Sequence, residues 1–241
     1  MIITKDLEGI VFNIFNYKEN DLIVDVLCKQ YGFMQLYVRG AQKTTAKSFY
    51  VFRLFNKITF DVSKLNLVEL STYKSGFVNQ VFDYTKLDYE QMNSVMFIEE
   101  LLIKIKHQQD ISYQAYYQEL ELVIDKIRTN ENSYFVINYF LYKTLGILGC
   151  APILNCCSNC AKTSQIVAYD ISKSGFVCQN CYDATTKNIS EVKVLEYLYE
   201  LNDKKEITNN QKIYDKIIFR LLIDILNDNA GIYLVATKYI Y

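Results

Sequence analysis

The sequence predicts an α+β fold, with a five-stranded OB-type barrel over residues 1–80 and an all-helical domain over residues 81–241. Three observations carry this. The first 75 or so residues break into five short apolar, β-branched runs with almost no helical period, the pattern of a small closed barrel. After Phe82 the apolar residues recur at helical spacing instead. Within the helical part, two Cys-x-x-Cys pairs mark a four-thiolate zinc finger at about residues 150–185.

Taken in order, Ile10-Val-Phe-Asn-Ile-Phe15 predicts the first strand, with Gly9 as a bulge or bend. Asp21–Cys28 gives the second strand, Tyr31-Gly32 a turn, and Phe33–Val38 an alternating third strand. Phe49–Phe60 and Leu65–Tyr73 are expected to supply the last two. A five-stranded OB barrel is the commonest such closure and often binds single-stranded nucleic acid. An SH3-like barrel serving as an interaction module is the alternative. Thr85-Lys-Leu-Asp88 has the form of a capping box opening a helix whose Val95, Ile98, Leu102 and Ile105 share one face. Helices are expected at about residues 113–128 and 133–148, the latter ended by Gly146 and Gly149 before Pro152. Ser190 is expected to cap a helix to about Leu201. A last helix, Lys212–Leu226, is expected to turn Tyr214, Ile217, Leu221 and Ile225 inward.

The cysteine pairs are Cys157-Ser-Asn-Cys160 and Cys178-Gln-Asn-Cys181, with seventeen residues between them. Each pair forms a tight turn that aims two sulfurs at one point, and zinc takes four such ligands as a tetrahedron with Zn–S near 2.3 Å. Gly175 relaxes the backbone before the second turn. Four thiolates leave no open coordination position, so one structural Zn2+ is expected on Cys157, Cys160, Cys178 and Cys181. Cys156 lies beside Cys157 at another permitted spacing and stays open as a substitute ligand; a pair of disulfides is the rival assignment.

The chain has 241 residues, 51% of them apolar, with 26 basic against 27 acidic residues and a net charge of −1. A nucleic-acid role must therefore rest on a local basic patch. The cysteine usage and an opening Met1-Ile-Ile-Thr-Lys5 without a signal-peptide pattern point to a cytoplasmic protein, and no apolar run is long enough to span a membrane. Most of the 21 tyrosines are expected in the core and at its boundary.

There is no P-loop and no G-x-G-x-x-G turn. The one histidine, His107, falls in the polar tail of a helix beside Lys104 and Lys106 and reads as solvated. No catalytic constellation is present, which points to a protein that is not an enzyme. What stands out instead is Arg39, Lys43, Lys47 and Arg53, four cations in fifteen residues after the third strand, interleaved with Tyr37, Phe49, Tyr50 and Phe52. Such a loop can track a phosphate backbone while bases stack beside it. Lysines of the helical domain, among them Lys104, Lys106, Lys204 and Lys205, are the competing location.

Asn16-Tyr-Lys-Glu-Asn-Asp21, the Tyr31-Gly32 turn and Val38-Arg-Gly-Ala41 resemble the N-terminal barrel of the RecO family of bacterial recombination-mediator proteins. Leu148-Gly-Cys-Ala-Pro-Ile-Leu154 leading into Cys157-x-x-Cys160 is similar to the approach to that family's zinc finger, and Leu234-Val-Ala-Thr-Lys238 to its closing segment. The resemblance implies binding of single- and double-stranded DNA and annealing of complementary strands. It also implies action with RecR and single-stranded-DNA-binding protein (SSB) to load RecA, with the acidic SSB C-terminal tail on the helical domain. Arg39 and the cations after it would face DNA. A zinc-containing protein-interaction scaffold without direct DNA binding is the alternative function.

Overall fold

The computed structural model describes residues 3–43, 46, 48–107, 113–129, 133–203 and 212–240. They form two compact units, residues 1–128 and 129–241. The first contains β1 (Thr4–Tyr17), β2 (Asp21–Cys28), β3 (Gly32–Val38), α1 (Ser48–Val51), β4 (Lys57–Lys64), β5 (Leu70–Gln80), α2 (Tyr89–Ile105) and α3 (Tyr113–Arg128).

The five strands close into a barrel in the order β1-β2-β3-β5-β4. Closure is possible because β1, at 14 residues, is long enough to pair with β4 through its first half and with β2 through its second. A bulge between Val11 and Asn13 turns the strand from one partner to the other. This is an OB-type barrel, with β3 and β5 paired in parallel and α1 inserted between β3 and β4. Burial alternates along β3 and β4 at period two, so one face of each fills the interior. Val24, Val26, Leu36, Phe60 and Val62 meet there, and Val51 and Phe52 pack onto the same core.

The predicted bend at Gly9 lies instead at the Val11/Asn13 bulge. Gly9 serves close packing: a Cβ there would come 2.3 Å from Val26 Cγ1. Gly32, at φ +77°, ends the turn the sequence predicted, and the Tyr113 ring occupies the space a side chain would need.

Two expected strands are displaced. The run Phe49–Phe60 is the helix α1, then a turn through Asn56, and only then β4. Asn56 holds that turn from inside, donating to the carbonyls of Tyr50 and Val51 and accepting from Phe82 N–H at 3.0 Å. The run Leu65–Tyr73 splits into the β4–β5 loop and the start of β5. Asn66 and Ser71 bond each other across that loop, which fixes its width.

The capping box sits one turn later than Thr85: Asp88 is the cap, accepting from Gln91 N–H at 2.8 Å while Gln91 accepts from Asp88 N–H at 2.7 Å. The predicted face of α2 is buried at Val95, Ile98, Leu102 and Ile105. Both helices pack on the barrel. Lys57 of β4 pairs with Asp125 and Glu121 of α3 at 3.0 and 3.3 Å. Lys106, just past α2, reaches the buried Asp25 of β2 at 2.7 Å.

The second unit contains α4 (Ser133–Ile147), β6 (Ile166–Asp170), β7 (Gly175–Cys178), β8 (Asn188–Ile189), α5 (Val192–Asp203) and α6 (Lys212–Ala230). α4 is buried almost all round and packs against α5 and α6. Its Asn138 donates to Tyr197 of α5 at 2.8 Å and to the Asp215 carbonyl of α6 at 3.0 Å. Tyr197 in turn donates to the Asp215 carboxylate. α5 begins at Val192, past the expected Ser190 cap. The inward face of α6 is rotated from expectation: Asp215, Ile218 and Leu222 are buried with Leu221 and Ile225, whereas Ile217 is exposed. The cysteine-bearing segment is a three-stranded sheet in the order β7-β6-β8.

Candidate metal centre and nucleic-acid interface

The cysteine turns are built by the backbone. Cys157 N–H donates to the Lys162 carbonyl and Ala161 N–H to the Cys157 carbonyl, both at 2.8 Å, with Ala161 in the left-handed region at φ 58°. Cys181 N–H donates to the Cys178 carbonyl at 3.0 Å. Ser158 N–H donates to Phe176 O of β7 at 2.7 Å, which brings the first turn onto the strand that leads into the second.

As a result, the sulfurs of Cys157, Cys160, Cys178 and Cys181 all lie within 4.8 Å of one another. The Cys160 and Cys178 sulfurs are 3.7 Å apart, close to the ~3.8 Å edge of a tetrahedron with Zn–S near 2.3 Å. That spacing is far beyond a disulfide bond of about 2.05 Å, and all seven cysteines are free. The donor set fits a four-coordinate metal ion. Cys156 is not one of the clustered sulfurs. Burial opposes ionisation of Cys157, but N–H groups of Cys178, Asn159 and Cys160 outweigh it and bring the thiol down to about 6. Cys181 is pushed up to about 12 by the sulfurs of Cys160 and Cys178. Without a cation, four crowded sulfurs cannot all ionise; a divalent ion would supply the missing charge.

On the barrel, Arg39 and Lys43 are exposed on the loop leaving β3. That loop is tied to the β1–β2 turn through Asp21. Its carboxylate accepts from Tyr37 Oη at 2.6 Å and from Gly40 N–H at 2.8 Å, and its carbonyl accepts from Gln42 Nε2 at 2.7 Å. The Tyr37 hydroxyl and the Gly40 N–H, with Lys18 and Arg39 nearby, hold the Asp21 carboxyl below its ordinary range. Lys18, Tyr37, Arg39 and Lys43 wall one open depression of about 590 Å³. Among the described residues none of Lys18, Arg39, Lys43 and Arg53 forms an ion pair, whereas Lys57 and Lys106 are committed to carboxylates.

Arg53 is exposed with its guanidinium 4.8 Å from the centre of the Phe49 ring, which meets Tyr50 edge-on at 5.1 Å. Phe52 belongs to the core, 4.9 Å from Tyr73. Lys47 lies outside the described residues, as do Lys204 and Lys205. Lys18 escaped the charge-clustering criterion because it stands 21 residues before Arg39; the Lys-Glu-Asn turn between two apolar runs was its available signal. Lys104 is exposed, and so is His107.

An OB-type barrel with unpaired cations beside its β1–β2 turn, joined in sequence to helices and to a four-cysteine sheet that could hold a metal ion, has the make-up of a nucleic-acid-handling class of protein. The chain matches the family model for the recombination protein O N terminal over residues 1–82 and that for its C terminal over residues 86–216. It belongs to the RecO family of DNA repair proteins. It is 26% identical over 238 residues to the DNA repair protein RecO of Mesoplasma florum, covering 94% of this chain and 86% of that one. The Listeria monocytogenes serotype 4a protein of the same name is 25% identical over 243 residues, 97% of this chain and 92% of that one. That of Lactobacillus acidophilus is 29% identical over 190 residues, covering 77% and 73%. Among the described residues no helix is long and apolar enough to cross a membrane.

Proposed function

We propose that this protein is a cytoplasmic, non-enzymatic recombination mediator that binds single- and double-stranded DNA through its barrel and anneals complementary strands. In this reading it acts with RecR to load RecA onto DNA coated by SSB, whose acidic C-terminal tail docks on the helical part of the chain. Arg39, Lys43, Lys47 and Arg53 face the DNA. The observation that carries the reading is the pair of exposed, unpaired cations Arg39 and Lys43 on a loop braced by Asp21, in a chain of a DNA repair family. Annealing forms and breaks no covalent bond. Two strands repel through their phosphates, and cations that neutralise both backbones lower that barrier and leave pairing to the bases.

One Zn2+ is held by Cys157, Cys160, Cys178 and Cys181. When bound it supplies only the charge and tetrahedral geometry that fix the two cysteine turns, since no coordination position stays open. The chain's own contribution is the backbone hydrogen bonding that gathers the four sulfurs.

The test is a titration of single-stranded DNA at several salt concentrations. Each phosphate contact contributes about −0.7 to the slope of log K against log[salt] for single strands, so R39A/K43A should flatten it by about 1.4 and slow annealing. An unchanged slope with unchanged annealing would place the DNA track elsewhere. Absence of any DNA binding by the intact protein would favour the protein-interaction scaffold.

A further inference from the structure

We propose that the β1–β2 turn is a base-stacking subsite that gives the barrel a preference for single-stranded DNA, with Tyr17 taking the base and Lys18 the adjoining phosphate. The inference rests on the Arg39–Lys43 loop facing DNA.

Tyr17 is the last residue of β1, and it is 40% exposed although it closes a strand of the barrel. Its orientation is fixed by two contacts. The Tyr37 ring meets it edge-on, at 6.1 Å and 90°, and Tyr37 is itself held by the Asp21 carboxylate. Lys18 follows at φ 51°, a left-handed turn conformation, and its ammonium lies 5.2 Å from the Tyr17 ring centre and 5.9 Å from that of Tyr37. Lys18 also walls the same depression as Arg39 and Lys43. Two carboxylates share that wall. Asp21 is occupied by its hydrogen bonds to Tyr37 and Gly40, and Glu19 is exposed, so three cations face two carboxylates.

A fixed, part-exposed ring beside unpaired cations matches the chemistry of one nucleotide, with a flat apolar base next to an anionic phosphate. A duplex already stacks its bases on each other and offers only phosphates to such a site. A single strand offers both. The ring therefore contributes to binding one form of DNA, while the cations contribute to both.

The measurement is anisotropy of the full-length protein with labelled oligo(dT) and with a duplex of equal length, for the wild type, Y17L, Y17F, K18A and R39A/K43A. Y17L should weaken single-strand binding about tenfold, change duplex binding less than twofold, and leave the salt slope alone, because no phosphate contact is lost. Y17F should bind like the wild type. K18A should flatten the salt slope on both DNAs by about one contact. Equal losses on both DNAs for Y17L, or a loss for R39A/K43A with none for Y17L, would overturn the stacking subsite and leave the loop reading standing. No loss in any variant would overturn both.

Discussion

Asp21 shows how one side chain sets the geometry of a surface. Its carboxylate gathers Tyr37 and Gly40 while its carbonyl takes Gln42, so the loop carrying Arg39 and Lys43 is pinned to the neighbouring turn. Because these bonds hold the carboxyl below its ordinary value of 3.8, the bracing is present above that pH and is lost as the pH falls through the lower folded value. The Gly40 amide resonance should therefore titrate below pH 3.8; movement centred well above it would mean that Asp21 is not the brace. Lys106 is the opposite kind of cation, with its side chain 12% exposed against an Asp25 side chain at 1%. Lys106→Met leaves the buried carboxylate with only the neutral amides of Asn13 and Gln35 as donors and should cost about 3 kcal/mol in a urea melt, with a loss under 1 kcal/mol showing the pair to be dispensable. In sequence Lys106 stands beside Lys104 and His107 in a polar helix tail, where it reads as a competing location for the DNA track. Its partner stands 81 residues away, beyond any local pattern.

Among the elements, those with a single dominant period were legible. β2 comes from its apolar run, β3 from alternation, and the buried face of α2 from its apolar spacing. Where two patterns competed, the local rule lost. Phe49–Phe60 is as aromatic as a strand, yet Asn56 can hold a turn only if the residues before it curl into α1. In α6 the apolar spacing pointed Ile217 inward, but Asp215 is buried instead, its carboxylate accepting from the Tyr197 hydroxyl and its carbonyl from Asn138. α2 also starts one turn later than Thr85 suggested, because Asp88 and Gln91 bond reciprocally. Asp88→Ala should accordingly lower stability by about 1 kcal/mol, while Thr85→Ala, a residue outside that box, should stay within about 0.5 kcal/mol; equal effects of the two would undo the assignment of the cap.

At the scale of the molecule, the order barrel, helices, cysteine module, helices was legible from the cysteine spacing and the change of period. The compact units were not. The division at residues 128 and 129 arises because α2 and α3 are tied to the barrel by Lys57, Lys106 and packing, none of which a one-dimensional pattern records. The metal prediction belongs here, because four ligands 24 residues apart at most organise a whole module. Cys178→Ser should abolish stoichiometric zinc in the purified protein and raise amide exchange across β6 and β7, while exchange in the barrel strands stays as in the wild type. Full zinc occupancy in that variant would remove Cys178 from the ligand set.

The barrel is closed by a narrow seam. β3 and β5 meet in parallel through only Gln35–Leu70, Leu36–Ser71 and Tyr37–Thr72, whereas β1–β2, β2–β3 and β4–β5 are antiparallel neighbours in sequence. Neighbouring strands can zip from their turns, but the seam must wait until segments 35 residues apart find each other. With three paired residues against five in β1–β4, it is the shorter of the two closures between strands distant in sequence and the first to part when the barrel breathes. The side chain of its last rung, Tyr37, bonds the carboxylate that pins the cationic loop. Opening the seam would loosen that loop before any helix melts.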